Sequence, residues 1–203
     1  MSSGTRIVTW TEDCFDGTVT TAADLPSKVI TPGQDNPQNG PFWVEGGGPG
    51  DTLAIRILKL EPARSYAASA FGPGFGALVG TDRTAMLGTD FPETNWRYEV
   101  DAKRNVARTT SRDGKHSWKV PLAPFLGCLG VVPAGGEVLT TIVPGPFGGN
   151  MDCTEARAGN TVFLASPHPG HSCRSAMDTT RWGTARSWAP PSRARCTSRW
   201  SWN

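Results

Sequence analysis

A mainly β chain, a sandwich or barrel with long functional loops, is what this 203-residue sequence predicts, on three observations. Short apolar runs rich in β-branched residues alternate with clusters of Gly, Pro, Asn and Asp, the punctuation of strands and turns. The 24 glycines and 17 prolines concentrate in "NPQNGP", "GGGPGD", "FGPGFG" and "PGPFGG", loops whose backbone must turn tightly or approach something closely. Apolar residues at helical spacing are hard to find.

The elements follow in order. "RIVTW" (6–10) reads as a first strand, and "TAADLPSK" hints at a short helix. "NPQNGPFWVEGGGPGD" (36–51) is a turn leading into a short strand that ends at Glu45, followed by a glycine run. In "GDTLAIRILKL", Leu53, Ile55 and Ile57 alternate with Ala54 and Arg56 to give one apolar face; the phase slips at Leu58 and Leu60, as it would across a bulge. "GVVP" (130–133), "EVLTTIVP" (137–144) and "NTVFL" (160–164) complete the strands, each bounded by turn residues.

The net charge of +2 hides an asymmetry: residues 1–164 hold 14 Lys and Arg against 17 Asp and Glu, while 165–203 hold six Arg and one acid, Asp178. A mildly acidic body excludes a nucleic-acid or membrane-surface partner for it. No run approaches the roughly 18 apolar residues of a membrane span, and "MSSGTRIVTW" lacks the apolar core of a secretory signal, so a cytoplasmic protein is expected. Five cysteines (14, 128, 153, 173, 196) are an odd number without a C-x-x-C pair. They read as reduced, mostly buried thiols rather than a disulfide framework or a zinc ribbon.

Two loops carry candidate chemistry. Glu45, at a strand tip beside glycines, is placed to hold a metal or act as a base, or is a solvated loop acid. Asp51, in Pro-Gly-Asp, reads as a turn former. In "VPGPFGGNMDCTEARAGN" (143–160), Asn150 and Asp152 stand two apart on an extended stretch, which puts them on one side of it, where amide and carboxylate would converge on a metal and a substrate carbonyl, or form an Asx-rich turn. Asp13, in "TWTEDCF", falls just past a strand as a third ligand or a simple cap. His116, in the polar "RDGKHSW" turn, reads as solvated.

The run "NPQNGPFWVEGGGPGDTLAIRIL", then "PGFGAL", "FLGCLGVVPAGGE", "PGPFGGNMDC" and "GNTVFL", resembles the acetamidase/formamidase family in order and interval over residues 4–164. The resemblance implies a mainly β enzyme that hydrolyses a short amide, formamide or acetamide, to carboxylate and ammonia. It also implies a divalent metal, zinc in first place and incompletely held by this chain, and a homo-oligomer for the intact protein. Carried over by motif, Glu45 and Asn150 are the expected catalytic residues, and Asp13 and Asp152 the expected metal ligands.

After residue 164 the likeness stops. Residues 165–203 contain no Leu, Ile, Val or Phe; Arg, Ser, Pro, Ala, Thr and Trp supply 30 of the 39. Family members continue with a motif similar to Gly-Asp-Gly-His-x-Ala-x-Gly-Asp-Gly-Glu. Regrouping the codons of "AMDTTRWGTAR" (176–186) from the third base of Ala176 forces two glycines and admits Asp-Gly-His-Tyr-Ala-Met-Gly-Asp-Gly-Glu. A single-base frameshift near residues 165–170 is therefore expected, with 165–203 an out-of-frame, disordered tail and a fold incomplete at its carboxy-terminal side. His168 and His171 lie in that text and are assigned nothing. The alternative is a non-enzymatic β module whose tail, with six Arg and four Trp, serves as an interaction segment.

Overall fold

The computed structural model describes residues 1–72 and 92–166 with their side chains, and the backbone alone of 171–180 and 195–200. It is built from three four-stranded sheets, every strand pairing antiparallel. The first holds β1 (Arg6–Trp10), β3 (Thr52–Lys59), β10 (Thr161–Ala165) and β12 (Arg195–Trp200), in the order β1-β12-β3-β10. The second is β2 (Asn39–Val44), β11 (His171–Thr180), β8 (Pro124–Val131) and β9 (Gly148–Asn150), ordered β2-β11-β8-β9. The third is the meander β4 (Tyr66–Phe71), β5 (Thr94–Asp101), β6 (Val106–Thr110) and β7 (Ser117–Pro121). The one α-helix among the described residues, α1, is the single turn Pro26–Val29, overlapping the end of the stretch where a short helix was expected. Of the two architectures expected, sandwich-like packing is found among the described residues and a closed barrel is not.

The alternation read in β3 is what packs the first two sheets together. Leu53, Ile55 and Ile57 are at most 1% exposed and meet Val44 of β2, Leu126, Leu129 and Val131 of β8 and Leu164 of β10 in one core. Each such side chain contributes about 2 kcal/mol of transfer free energy. The bulge expected after Ile57 is present: Thr197 of β12 stands opposite Lys59 and Ser198 opposite Ile57, so Leu58 is the extra residue. A second core joins Cys14, Phe15 and Val19, from the segment after β1, to Ala68 and Ala70 of β4 and Cys128 of β8. Strand β8 is thus buried on both faces, and its Cys128 side looks towards the third sheet.

One expectation differs. Residues 137–144, expected as a strand, form an irregular loop in which Val138 is 96% exposed; the β-branched residues are there, but among the described residues no neighbouring edge offers them a ladder. Within residues 165–203, the backbone of β11 lies between β2 and β8, and that of β12 between β1 and β3. Backbone pairing needs only N–H and C=O groups, so it does not require the apolar pattern that the tail lacks. Among the described residues no helix is long and apolar enough to cross a membrane.

Candidate functional site: a polar cluster around Cys128

β9 is three residues long because glycine lets it press against β8. At Gly148, with φ +88°, a Cβ would run into the Leu129 carbonyl oxygen, so any side chain there would push the strands apart. This contact sets Asn150 directly opposite Cys128 in the ladder, with both side chains on one face. The strand then ends. Asp152 is exposed and left-handed, with φ +47°, and its N–H donates to the Gly127 carbonyl at 2.9 Å. Asn150 and Asp152 therefore do not sit on one extended stretch as expected. They reach the same neighbourhood through a turn, since the Asp152 carboxylate acts electrostatically on both Cys14 and Cys128.

The other wall comes from the loop before β2. Asn36, 2% exposed and left-handed at φ +52°, donates its backbone N–H to the Cys14 carbonyl at 2.8 Å. Its carboxamide and that of Gln38 reach the Cys128 thiol. A left-handed backbone at a non-glycine residue is a local cost, tolerated best by Asn and Asp, and two such residues, Asn36 and Asp152, border this cluster. A strap from the 137–144 loop closes it. Asn36 Nδ2 donates to the Thr141 carbonyl, and Asn150 Nδ2 donates to that of the next residue, Ile142, at 3.0 Å.

Burial pushes the Cys128 thiol up to about 11, against the lowering effect of the Gln38 and Asn36 amides. The Cys14 thiol is held well above its ordinary range by burial, with the carboxylates of Asp13, Asp152 and Asp35 adding to it. Both thiols are therefore protonated at neutral pH and act as weak donors rather than nucleophiles. Among the described residues the cysteines 14, 128 and 153 are unbridged, and the first two are buried as expected.

Asp13 is buried at the edge of this cluster and is fully engaged. Its Oδ1 accepts the N–H groups of Phe15 at 2.9 Å and Gly17 at 3.1 Å, and its Oδ2 accepts the Arg64 guanidinium at 2.6 Å. Arg64 also pairs with Glu12. Burial raises the Asp13 pKa; the Gly17 N–H, Arg64 and the Phe15 N–H work against that rise. Of the two readings open for Asp13, the geometry is that of the cap. Glu45 is elsewhere: it lies six residues beyond Asn39, about 20 Å along an extended strand. It is paired with the amino terminus of Met1 at 3.7 Å, its side chain 70% exposed. Asp51 forms the expected turn, accepting the Gly48 N–H at 2.8 Å, and His116 is exposed in the β6–β7 turn. "PGFGAL" (73–78) and His168 lie outside the described residues, and so does the side chain of His171.

No group of three His, Cys, Asp or Glu side chains among the described residues is arranged to hold a metal. The described part of the cluster offers amides, two buried thiols and the carboxylates of Asp13 and Asp152, of which Asp13 is taken up by Arg64 and the Phe15 and Gly17 N–H groups, so among the described residues no zinc ligand set is assembled. Of the expected site residues, Asp13, Asn150 and Asp152 are brought to the cluster and Glu45 is not. Asn36, Gln38, Cys14, Cys128 and Arg64 complete it. The signal of Asn36, Gln38 and Cys128 lay in "NPQN" and "FLGCLG", but nothing in either string announces that they meet, and Cys14 and Arg64 stand in neither.

Solved structures with this arrangement of sheets exist. An acetamidase from Yersinia enterocolitica is 27% identical and superposes with a TM-score of 0.76 over 100% of this chain and 62% of its own. The chain resembles the acetamidase/formamidase family. An acetamidase from Bacillus halodurans, 25% identical, matches with a TM-score of 0.79 over 99% of this chain and 62% of its own. A γ-lactamase from Delftia acidovorans, 14% identical, shares the fold with a TM-score of 0.76 over 99% of this chain and 60% of its own. This acetamidase-like chain thus spans about 62% of the length of the acetamidases it matches. No family sequence model and no curated protein sequence matches it.

Proposed function

We propose that the chain is part of an amidohydrolase of the acetamidase/formamidase type, acting on a short-chain amide such as formamide or acetamide to give the carboxylate and ammonia. One observation carries the reading: the family-like strings "NPQNGPFWVEG" and "PGPFGGNMDC" meet at Cys128, the first through Asn36 and Gln38 and the second through Asn150, in a fold matched by acetamidases. In this reading Asn150 orients the amide, and Asp152, the exposed carboxylate two residues on, takes a proton from the water that adds to the carbonyl carbon and passes it to the nitrogen as the C–N bond breaks and ammonia leaves. Asp13 is assigned to holding the loop after β1. Glu45, at the far end of β2, keeps a role only if another part of the protein or another subunit is brought to it.

The zinc ion implied by the resemblance would activate water and polarise the carbonyl. The described residues do not assemble its ligands, so it carries no step of the reading. We infer further that the frame is shifted near residues 165–170, and that the chain as written does not turn over its substrate. The support is the regrouped codons of 176–186, which admit the family-like Asp-Gly-His string. The intact protein, in this reading, is a cytoplasmic homo-oligomer. Assaying ammonia release from formamide and acetamide by this chain and by a frame-restored one tests the proposal: release by the restored chain supports it, and a restored chain that folds but releases none overturns it.

A further inference from the structure

Six of the 14 Lys and Arg in residues 1–164 fall within 103–119, namely Lys103, Arg104, Arg108, Arg112, Lys115 and Lys119, against one acid, Asp113; the rest of 1–164 holds 8 basic residues against 16 acids. That stretch is the β5–β6 turn and the β6–β7 hairpin of the third sheet, and every residue from 112 to 119 is exposed. Asp113 is occupied within its own turn, where Oδ1 accepts the Lys115 N–H at 3.1 Å and the Ser111 hydroxyl. Strand β7 is also an edge: among the described residues it pairs only with β6. The Ser111 N–H donates to the His116 carbonyl at 2.7 Å and the Leu122 N–H to that of Asn105 at 3.0 Å. In this register Trp118 and Val120 turn their backbone groups towards β6, and the N–H and C=O groups of Ser117 and Lys119 point away from it. Lys119 stands directly opposite Arg108, so two cations meet at the edge. Arg108 has Asp101 at 3.9 Å, whereas Lys119 has no carboxylate among the described residues. Trp118, 49% exposed, lies on the other face, beyond Val120, which packs against Tyr98 and Val100 in the core of the third sheet.

We propose that the β7 edge is a docking site for an extended segment of another protein in which acidic residues alternate with apolar ones, added to the third sheet as a further strand. Such a strand completes the hydrogen bonds of Ser117 and Lys119, and its period of two puts acids beside Lys119 on one face and an apolar residue beside Trp118 on the other. An acid there also relieves the meeting of Lys119 with Arg108. A lysine in mid-strand and Pro121, which has no N–H, guard the edge against indiscriminate pairing, and an acidic strand is the kind for which the guard becomes a match. A second copy of this chain fits worse, because β7 set against its own two-fold mate lays one basic hairpin beside another. A nucleic acid fits worse as well, since the acidic excess of the remaining body repels a long polyanion.

The test is amide hydrogen exchange followed by NMR on the full 203-residue chain, titrated with a short end-blocked peptide that alternates glutamate with valine and, separately, with its counterpart carrying lysine in place of glutamate. The glutamate peptide is expected to bind about tenfold more tightly than the lysine peptide, and at saturation to slow exchange of the Ser117 and Lys119 N–H groups about tenfold or more. Lys119→Glu sets a carboxylate opposite Arg108, so the hairpin keeps its fold, and it is expected to remove the preference. Lys115→Glu makes the same change of charge in the turn, off the ladder, and is expected to keep it. Binding of neither peptide, or equal binding of the two by the unmodified chain, overturns the proposal. Binding without protection of the two amides, or a loss in Lys115→Glu as large as in Lys119→Glu, overturns it in favour of a diffuse attraction between charges. Protection of the same amides that grows with protein concentration in the absence of peptide assigns the edge to a second copy, and overturns it too.

Discussion

Replacing Arg64 by leucine removes the cation from between two carboxylates, and the structure says how much that costs. The Arg64 side chain is 13% exposed, Asp13 6% and Glu12 15%, so the three charges sit nearly out of solvent. Taking one partner from a buried pair leaves an uncompensated charge and costs about 3–5 kcal/mol. The residual exposure of Glu12 puts this case near about 3 kcal/mol. The loss carries a pH signature. Asp13 already has a raised pKa through burial, and Arg64 is one of the groups that hold it down, so in Arg64→Leu the pKa rises further. A carboxyl whose folded pKa lies above its unfolded value binds its proton more tightly when folded. The variant therefore recovers part of its deficit as pH falls towards the ordinary carboxyl range. Urea unfolding followed by tryptophan fluorescence at pH 7 and near pH 4.5 measures both quantities. Asp13→Asn, which keeps an oxygen for the Phe15 and Gly17 N–H groups and leaves Arg64 its Glu12 partner, is expected to cost only about 1 kcal/mol. A loss below about 1 kcal/mol for Arg64→Leu at pH 7, or one that does not shrink in acid, refutes the account of Asp13 as a loop-holding carboxylate.

Two further outcomes are expected. Because the Cys128 thiol is pushed up to about 11 when folded, the folded state keeps a proton that the unfolded chain loses above its ordinary value of 9.0. Stability should be fully present below that pH and fall by about 1.4 kcal/mol per pH unit as pH rises towards the folded value, an alkaline slope that Cys128→Ala reduces in pH-dependent denaturation. Gly148→Ala places a Cβ against the Leu129 carbonyl in a left-handed backbone and is expected to cost about 3 kcal/mol or more by urea midpoint. Gly46→Ala, also at positive φ but with nothing within 4 Å of its Cβ, should cost only about 1 kcal/mol, and equal losses at the two positions would contradict the close approach of β9 to β8.

The sequence announced those elements whose two faces meet different surroundings. β3 faces the core with Leu53, Ile55 and Ile57 and solvent with Arg56, so a period of two and even its bulge could be read directly. β4, "YAASAF", is buried almost throughout and built of small residues, so it carries no alternation to read. β8 is buried on both sides, which makes "PFLGCLGV" a continuous apolar run, and only its last residues were recognised as strand. The 137–144 loop erred the other way, for strand-like residues make a strand only where a neighbouring edge exists. At the site, Asn150 and Asp152 stood out because glycine and proline surround them. Asn36 and Cys128 did not, because their meeting depends on partners 105 residues apart in one case and on a cross-strand register in the other. No local pattern encodes such contacts.

Ammonia release is the measurement closest to the central claim that this is an amide-hydrolysing chain read partly out of frame. The chain as written, a version with one base removed or inserted near codon 166 and continued in the corrected frame, and that version carrying Asp152→Asn would each be incubated with acetamide and formamide, with zinc supplied. The account predicts no release by the first, release by the second, and loss of most of that release in the third. Release by the chain as written, or a folded corrected chain that yields none, would contradict it.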